Sequence, residues 1–362
     1  MFDQLKHVGD GDVWASFGGR FDTRMESWEG FGFGATNPGN SDTFLLTHLF
    51  LHGELHLGSR VRAYVEAYGA DVWGRNDLPG GRRTLDTNSL DLFQGFVDLD
   101  LLEGDDQLRL RVGRQTLLFG AQRVVSPLPW ANTWRTWDGV SAELRTGEWT
   151  VTGFATYYVP VQKHDFDDSD DSQEFYGVYA SLPANQAHRG LDVYLIGKSR
   201  DNVTVNGTSG NERRHTLGAR TFGSLGGAWD GELEGAYQFG EVGAGDVSAW
   251  FVSSVLGYKL PDCPLQSRWF VGFDAASGDH NVGGNVTTYD QVFPLGHAYF
   301  GYADMLARQN VIAANLGAQL TLDDATKATV AAHVFRLYDD NDALYSVGGP
   351  PARTGLGNAD VG

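Results

Sequence analysis

Of the 27 basic residues in this 362-residue chain, five are lysine (Lys6, Lys163, Lys198, Lys259, Lys327), which leaves 22 arginines. A guanidinium stays charged at any physiological pH and presents paired coplanar donors that match a carboxylate. Many of the arginines recur two or four residues apart, as in Arg20 and Arg24, Arg60 and Arg62, and Arg109 and Arg111. On an extended strand that spacing puts them on one face. A row of this kind can pass a chain of uronate groups, or small organic anions, from one bidentate contact to the next. The candidate path residues are Arg20, Arg24, Arg62, Arg109, Arg111, Arg114, Arg123 and Arg135. Asp22, Glu54, Glu66, Asp98, Asp100, Glu143, Asp230, Glu232 and Glu234 fall on polar faces by the same parity. A second role is therefore open, in which arginines and carboxylates neutralise one another and stiffen a wall.

Other constellations carry less. His48, His52 and His56 share a strand face, but same-face neighbours stand about 7 Å apart, too far to share one metal ion without a cross-strand ligand. Asp165, Asp167, Asp168, Asp170 and Asp171 form an acidic loop whose spacing does not match an EF-hand, which leaves calcium binding undecided. Asp279 and His280 lack a nucleophile elbow that would make them part of a hydrolytic triad. Cys263 is the single cysteine, in a Pro-Asp-Cys-Pro turn, and supports neither a disulfide nor a zinc site. The net charge of −19 argues against nucleic acid as a partner.

The elements that must position the arginines are strands. Leu49, Leu51, Gly53, Leu55 and Leu57 alternate with Phe50, His52, Glu54 and His56, and after a turn at Gly58 and Ser59 the segment from Val61 to Tyr68 alternates in the same way. Similar runs include Leu108 to Val112, Leu191 to Lys198, Trp229 to Phe239, Trp269 to Asp274, Ile312 to Leu322 and Thr329 to Val334. About sixteen such strands, each of roughly ten to fifteen residues, are long enough to cross a bilayer at a tilt. With the apolar set facing lipid and the polar set facing a lumen, a mean hydropathy of −0.29 is what an all-β, antiparallel transmembrane barrel should show. Short turns alternate with long polar segments such as Trp73 to Ser89, Pro160 to Ser172 and Ala276 to His297. Trp14, Trp73, Trp149, Tyr158, Tyr179, Trp229, Phe239, Tyr258 and Trp269 lie near segment ends, as an interfacial belt requires. By strict alternation Arg114 takes the lipid parity of Val112, so a bulge at Gly113 is expected to turn it inward.

The densest segment runs Gly113, Arg114, Gln115 through Gly120 to Arg123, then Trp130, Asn132 and Arg135, Thr136, Trp137, Asp138, Gly139. It resembles the alginate-export porin family of Gram-negative outer membranes, as do the opening Gly19 to Glu26 and the late Phe293 to Asp304. The resemblance covers nearly the whole chain. It implies a monomeric barrel of about eighteen strands that passes an anionic polysaccharide through an arginine-rich constriction, with loops gating its ends. It also implies outer-membrane lipid, an anionic saccharide and periplasmic export components as partners. No cofactor is expected. The alternatives are a general or small-organic-anion porin and, further off, a barrel enzyme. Two features depart from the family pattern: the many carboxylates on the polar faces, and an ending at Gly362 that resembles the start of a strand at Leu356 and lacks a terminal aromatic. The chain is thus expected to be one barrel domain over residues 1–362 short of a C-terminal hairpin, with about 25 to 40 further residues in the full-length gene. No signal peptide is legible at its polar start.

Overall fold

The structure is a computed structural model that describes residues 6–30, 41–78, 81–260, 263 and 265–353. The strand-like run at Leu356, and Pro261, Asp262 and Pro264 of the turn around Cys263, lie outside the described residues. Strands appear where period-two alternation places them. In chain order they are β1 (Val8–Asp10), β2 (Val13–Trp28), β3 (Asp42–Leu57), β4 (Val61–Trp73), β5 (Asn88–Leu102), β6 (Gln107–Gln115), β7 (Thr136–Thr146), β8 (Trp149–Val159) and β9 (Asp170–Leu182). There follow β10 (Gly190–Val205), β11 (Thr208–Gly226), β12 (Trp229–Val242), β13 (Gly245–Leu260), β14 (Ser267–Ala276), β15 (Val311–Thr321) and β16 (Lys327–Leu337). These sixteen form one sheet whose hydrogen-bonded order follows the chain, and β17 (Leu344–Tyr345) pairs with β18 (Pro351–Arg353) separately.

Two compact units divide the chain. The first holds residues Met1–Gly147, Thr152–Phe175 and Phe293–Leu295, and the second holds Glu148–Val151, Tyr176–Val292 and Gly296–Gly362. Within each, burial runs opposite to that of a water-soluble sheet. In the first unit Phe21 and Met25 are 64% and 76% exposed, whereas Asp98 is 1% exposed. In the second, Leu217, Leu233 and Val334 are exposed while Glu212, Arg214 and Gln238 are buried. Leaving a large apolar side chain in water forgoes about 1.5–3 kcal/mol, so this pattern is stable only where the outer solvent is itself apolar.

Short turns and long segments alternate along the chain as expected, with 74–87, 116–135, 160–169 and 277–310 the long ones. The turns after β10 and β12, at Asn206–Gly207 and Gly243, are tight although their place in the alternation belongs to the long set. The aromatic belt is only partly as expected. Trp73, Trp229 and Trp269 stand exposed on apolar faces, but Tyr179 is buried and stacked on Tyr194 at 5.3 Å. Tyr158 packs on Phe293 at 5.1 Å. Nearness to a strand end does not set the face; the parity of the residue does. Arg60 lies in the turn before β4, bonded to Glu103 and 70% exposed, so it is not part of a polar strand face.

No bulge forms at Gly113. The register of β5 with β6 and of β6 with β7 passes through it without an extra residue, pairing Arg114 with Gly95 and with Asp138. Arg114 therefore keeps the parity of Val112, and its charge is met by a partner rather than by redirection. Gly113 has a φ of +128°, and a Cβ built there would lie 2.2 Å from the Gly95 carbonyl oxygen. Gly113→Ala is accordingly expected to destabilise the folded protein by about 2–3 kcal/mol, from strain and clash together. A lowered urea midpoint with unchanged slope checks this.

Candidate functional site

In the first unit the segment 116–135 leaves β6 and lies over the face that carries His48 and Phe50. Asn132 holds it there, its side-chain amide nitrogen sharing two N–H groups among the carbonyls of Thr47 (3.1 Å), Asp71 (3.1 Å) and Asp86 (2.8 Å). The Thr133 hydroxyl donates to the Thr84 carbonyl at 2.7 Å, and Trp134 packs on Phe50 and Phe93 at 5.5 and 5.8 Å. The far side of the segment pairs with residues 293–295: Ser126 N–H donates to the Phe293 carbonyl, Phe293 N–H to that of Val124, and Leu295 N–H to that of Gln122. Backbone groups that a free loop would leave to water are thus satisfied by the wall and by a second segment.

This segment gathers four of the eight candidate arginines. Arg20, on β2, is bonded to Asp22 at 2.5 Å and stands over the rings of Phe50 (4.9 Å) and Trp134 (5.2 Å), with half of its side chain exposed. Arg24, two turns of the pleat along, is bonded to Glu26 and donates to the Trp130 carbonyl at 2.8 Å, over the Trp130 ring at 4.3 Å. Arg123 lies within the segment and is buried. Arg135 ends it, donating to the carbonyls of Pro294 (2.9 Å) and Ser126 (3.4 Å) and interacting with the Tyr158 hydroxyl. Among the described residues Arg135 meets oxygens of carbonyl and hydroxyl type and no carboxylate. Burial pulls its guanidinium below the usual value while Tyr158 opposes the shift, and a guanidinium remains charged regardless.

The other four are committed to carboxylates. Arg111 is doubly bonded to Asp98 at 2.7 and 3.0 Å, and Arg62 shares that carboxylate at 3.0 Å while reaching Glu54 at 3.1 Å. Arg109 is doubly bonded to Asp100, and Arg114 to Asp138 at 2.8 and 2.9 Å with a further bond to the Leu92 carbonyl. The geometry of these four is that of wall-stiffening pairs. Sequence reasoning did not single out Trp130 and Trp134 as platforms for arginines, although tryptophans inside a polar segment rich in Arg were a usable signal. It also missed Arg308, buried in the second unit on Asp274 at 3.0 Å and beneath the rings of Phe300 (4.8 Å) and Tyr299 (5.0 Å).

The histidines do not act together. His48 bonds Asp22 at 2.7 Å, His52 stacks on Tyr64, and His56 stacks on Trp14. Among the described residues no group of three or more His, Cys, Asp or Glu gathers as metal ligands. Asp279 accepts from the Asn281 and Thr287 N–H groups, whereas His280 bonds Asp339, so the two form no dyad.

In the acidic loop, Asp167 is buried and accepts from Gln162 N–H and from the Asn88 amide, beside Asp91. Burial pushes its carboxyl up from the ordinary 3.8 to about 6, with Asp91 adding to the shift. The folded state therefore holds this proton more tightly. Its contribution is complete below pH 3.8 and is lost as pH rises through about 6. Hydrogen exchange in residues 160–169, corrected for its intrinsic pH dependence, is expected to quicken between pH 4 and 7, and Asp167→Asn is expected to abolish that change.

Comparison with known proteins places this geometry. Among solved structures the chain is similar to Pseudomonas aeruginosa OccK2 (OpdF) in complex with glucuronate, with a TM-score of 0.58 and 12% identity over 90% of this chain and 81% of that one. It is also similar to the outer membrane protein OprD from Pseudomonas aeruginosa (TM-score 0.56, 13% identity, 94% and 77% covered). A BenF-like porin from Pseudomonas fluorescens Pf-5 gives a TM-score of 0.58 at 13% identity, with 90% and 82% covered. The fold is that of outer-membrane β-barrel porins, which makes the exposed apolar faces the lipid-facing ones and the polar faces those of the lumen. No curated protein matches the chain in sequence. The family model for alginate export matches residues 13–362, nearly the whole chain, and the chain belongs to the alginate export family.

Proposed function

We propose that this outer-membrane channel passes an anionic, alginate-like saccharide, with Arg20, Arg24 and Arg135 setting its preference for anions. The observation that carries this reading is Arg135, a cation that meets carbonyl oxygens and the Tyr158 hydroxyl and, among the described residues, no carboxylate. The chain's net charge of −19 repels anions at long range, so any preference for them has to arise locally. Arg20 and Arg24 add partly exposed donors beside Trp134 and Trp130, whose rings suit the apolar face of a sugar while a guanidinium takes its carboxylate. The paired arginines, Arg62, Arg109, Arg111 and Arg114, act in this reading as the rigid frame. The role is conduction rather than turnover, and the chain works as a monomer in lipid.

Reversal potentials in planar bilayers under a KCl gradient test the reading. Anion selectivity, with current block by oligouronate and none by an uncharged oligosaccharide of equal length, is the expected result; cation selectivity overturns it. A small-organic-anion porin is the second reading, favoured by the glucuronate in the OccK2 structure. Block by glucuronate with indifference to chains of several uronates selects it.

A further inference from the structure

The second unit contains a carboxylate site that the channel reading does not use. Asp290, on the segment 277–310, receives Lys198 Nζ at 2.6 Å and Arg200 Nη2 at 3.4 Å, both from β10. Arg200 also donates to Glu212 at 2.6 Å, and Arg214 donates to the other oxygen of Glu212 at 2.8 Å. In this cluster the strands supply Lys198, Arg200, Arg214 and the carboxylate of Glu212, and the segment supplies the second carboxylate, Asp290. Lys198 and Arg214 have only 7% and 1% of their side chains exposed. Buried cations of this kind are stabilised by an anion beside them, which offsets the cost of their desolvation.

The backbone around Asp290 is held as well. Gln238 exchanges two hydrogen bonds with its backbone, at 2.7 and 2.9 Å, and Arg214 donates to the Thr288 carbonyl at 3.2 Å. Val292 N–H donates to the Asp290 carboxylate at 2.7 Å, which ties the order of the next turn to the position of that side chain. Burial works to raise the Asp290 carboxyl, but Lys198, Arg200 and Arg214 together outweigh it and hold it below the usual range, so it sits as an anion. The cations are fixed on strands, whereas the anion arrives on a connecting segment. Exchange of one carboxylate for another keeps the cations paired throughout and costs only the local order of the segment.

We propose that Lys198 and Arg200 form a carboxylate-binding site which Asp290 fills in the resting chain, and that a carboxylate of the anionic sugar displaces Asp290 and releases residues 288–292. The ligand class rests on the anionic-cargo reading above; the site rests on its own geometry.

The test is hydrogen exchange on the wild-type protein in detergent with sodium glucuronate, and with glucose as the uncharged control. Glucuronate is expected to quicken exchange at the Asp290 and Val292 amides at least tenfold, and glucose to leave it unchanged; no response to glucuronate overturns the proposal. A second measurement uses Asp290→Asn, whose folded state is read from heat-resistant migration on gels. Half-block of the single-channel current is expected at a roughly tenfold lower glucuronate concentration, and the gain is expected to vanish in Asp290→Asn combined with Lys198→Met. A gain that survives the second change overturns the assignment to Lys198. Quickened exchange in a channel that proves cation-selective supports the site and fails the cargo reading, whereas an anion-selective channel with an indifferent segment does the reverse.

Discussion

Replacing Arg135 with Gln is expected to lower the anion-over-cation permeability ratio about tenfold while leaving the folded yield unchanged. An anion about 6 Å from an uncancelled guanidinium gains roughly 3 kcal/mol at an effective dielectric constant near 20, and mobile ions screen away part of that. The glutamine keeps a donor for the Pro294 carbonyl, so the bond between segments 116–135 and 293–295 survives in part. Burial of a cation without a carboxylate is also costly, so removing the charge does not weaken the fold. Reversal potential before and after substitution measures the effect. An unchanged ratio would mean that the charge at Arg135 only ties two segments together.

The opposite balance holds at Asp98. Asp98→Asn is expected to cost about 3–5 kcal/mol, because it leaves Arg111 without its carboxylate and takes one of two from Arg62 in a buried setting. Arg111 lies over the Phe96 ring at 3.7 Å, a contact that does not replace the lost pair. Asp100→Asn is the control. Arg109 is 44% exposed, and an exposed pair contributes about 1 kcal/mol or less. Urea denaturation of the two variants in the same detergent, followed by heat-resistant gel migration, separates them. Equal loss in both would show that the depth of the pair does not matter and would count against the frame role given to Asp98.

Asp98 and Arg135 also show why arginine content is a poor guide to selectivity. Both regions carry arginine, and they differ in what the guanidinium meets. Arg62, Arg109, Arg111 and Arg114 meet carboxylates directly opposite them on the neighbouring strand. Arg135 meets a carbonyl at Pro294, 159 residues further along the chain.

Alternation alone was enough to place the strands, because the two faces of a strand follow from covalent geometry and need no knowledge of partners. Leu49 to Leu57, Val61 to Tyr68 and Trp229 to Phe239 all lie in strands, with the apolar residues outward. What the tertiary structure alone decided is which charges remain uncancelled. The expected bulge at Gly113 was a local answer to a charge at lipid parity; the actual answer, Asp138 on the paired strand, depends on register between strands. The fold of segment 116–135 onto β3 and β4, and the seat of Asp290 on Lys198, each bring together residues more than sixty positions apart. Periodicity carries no information at that range. An ion pair is a property of two positions in space, and the chain specifies it only through the pairing of all the strands between them.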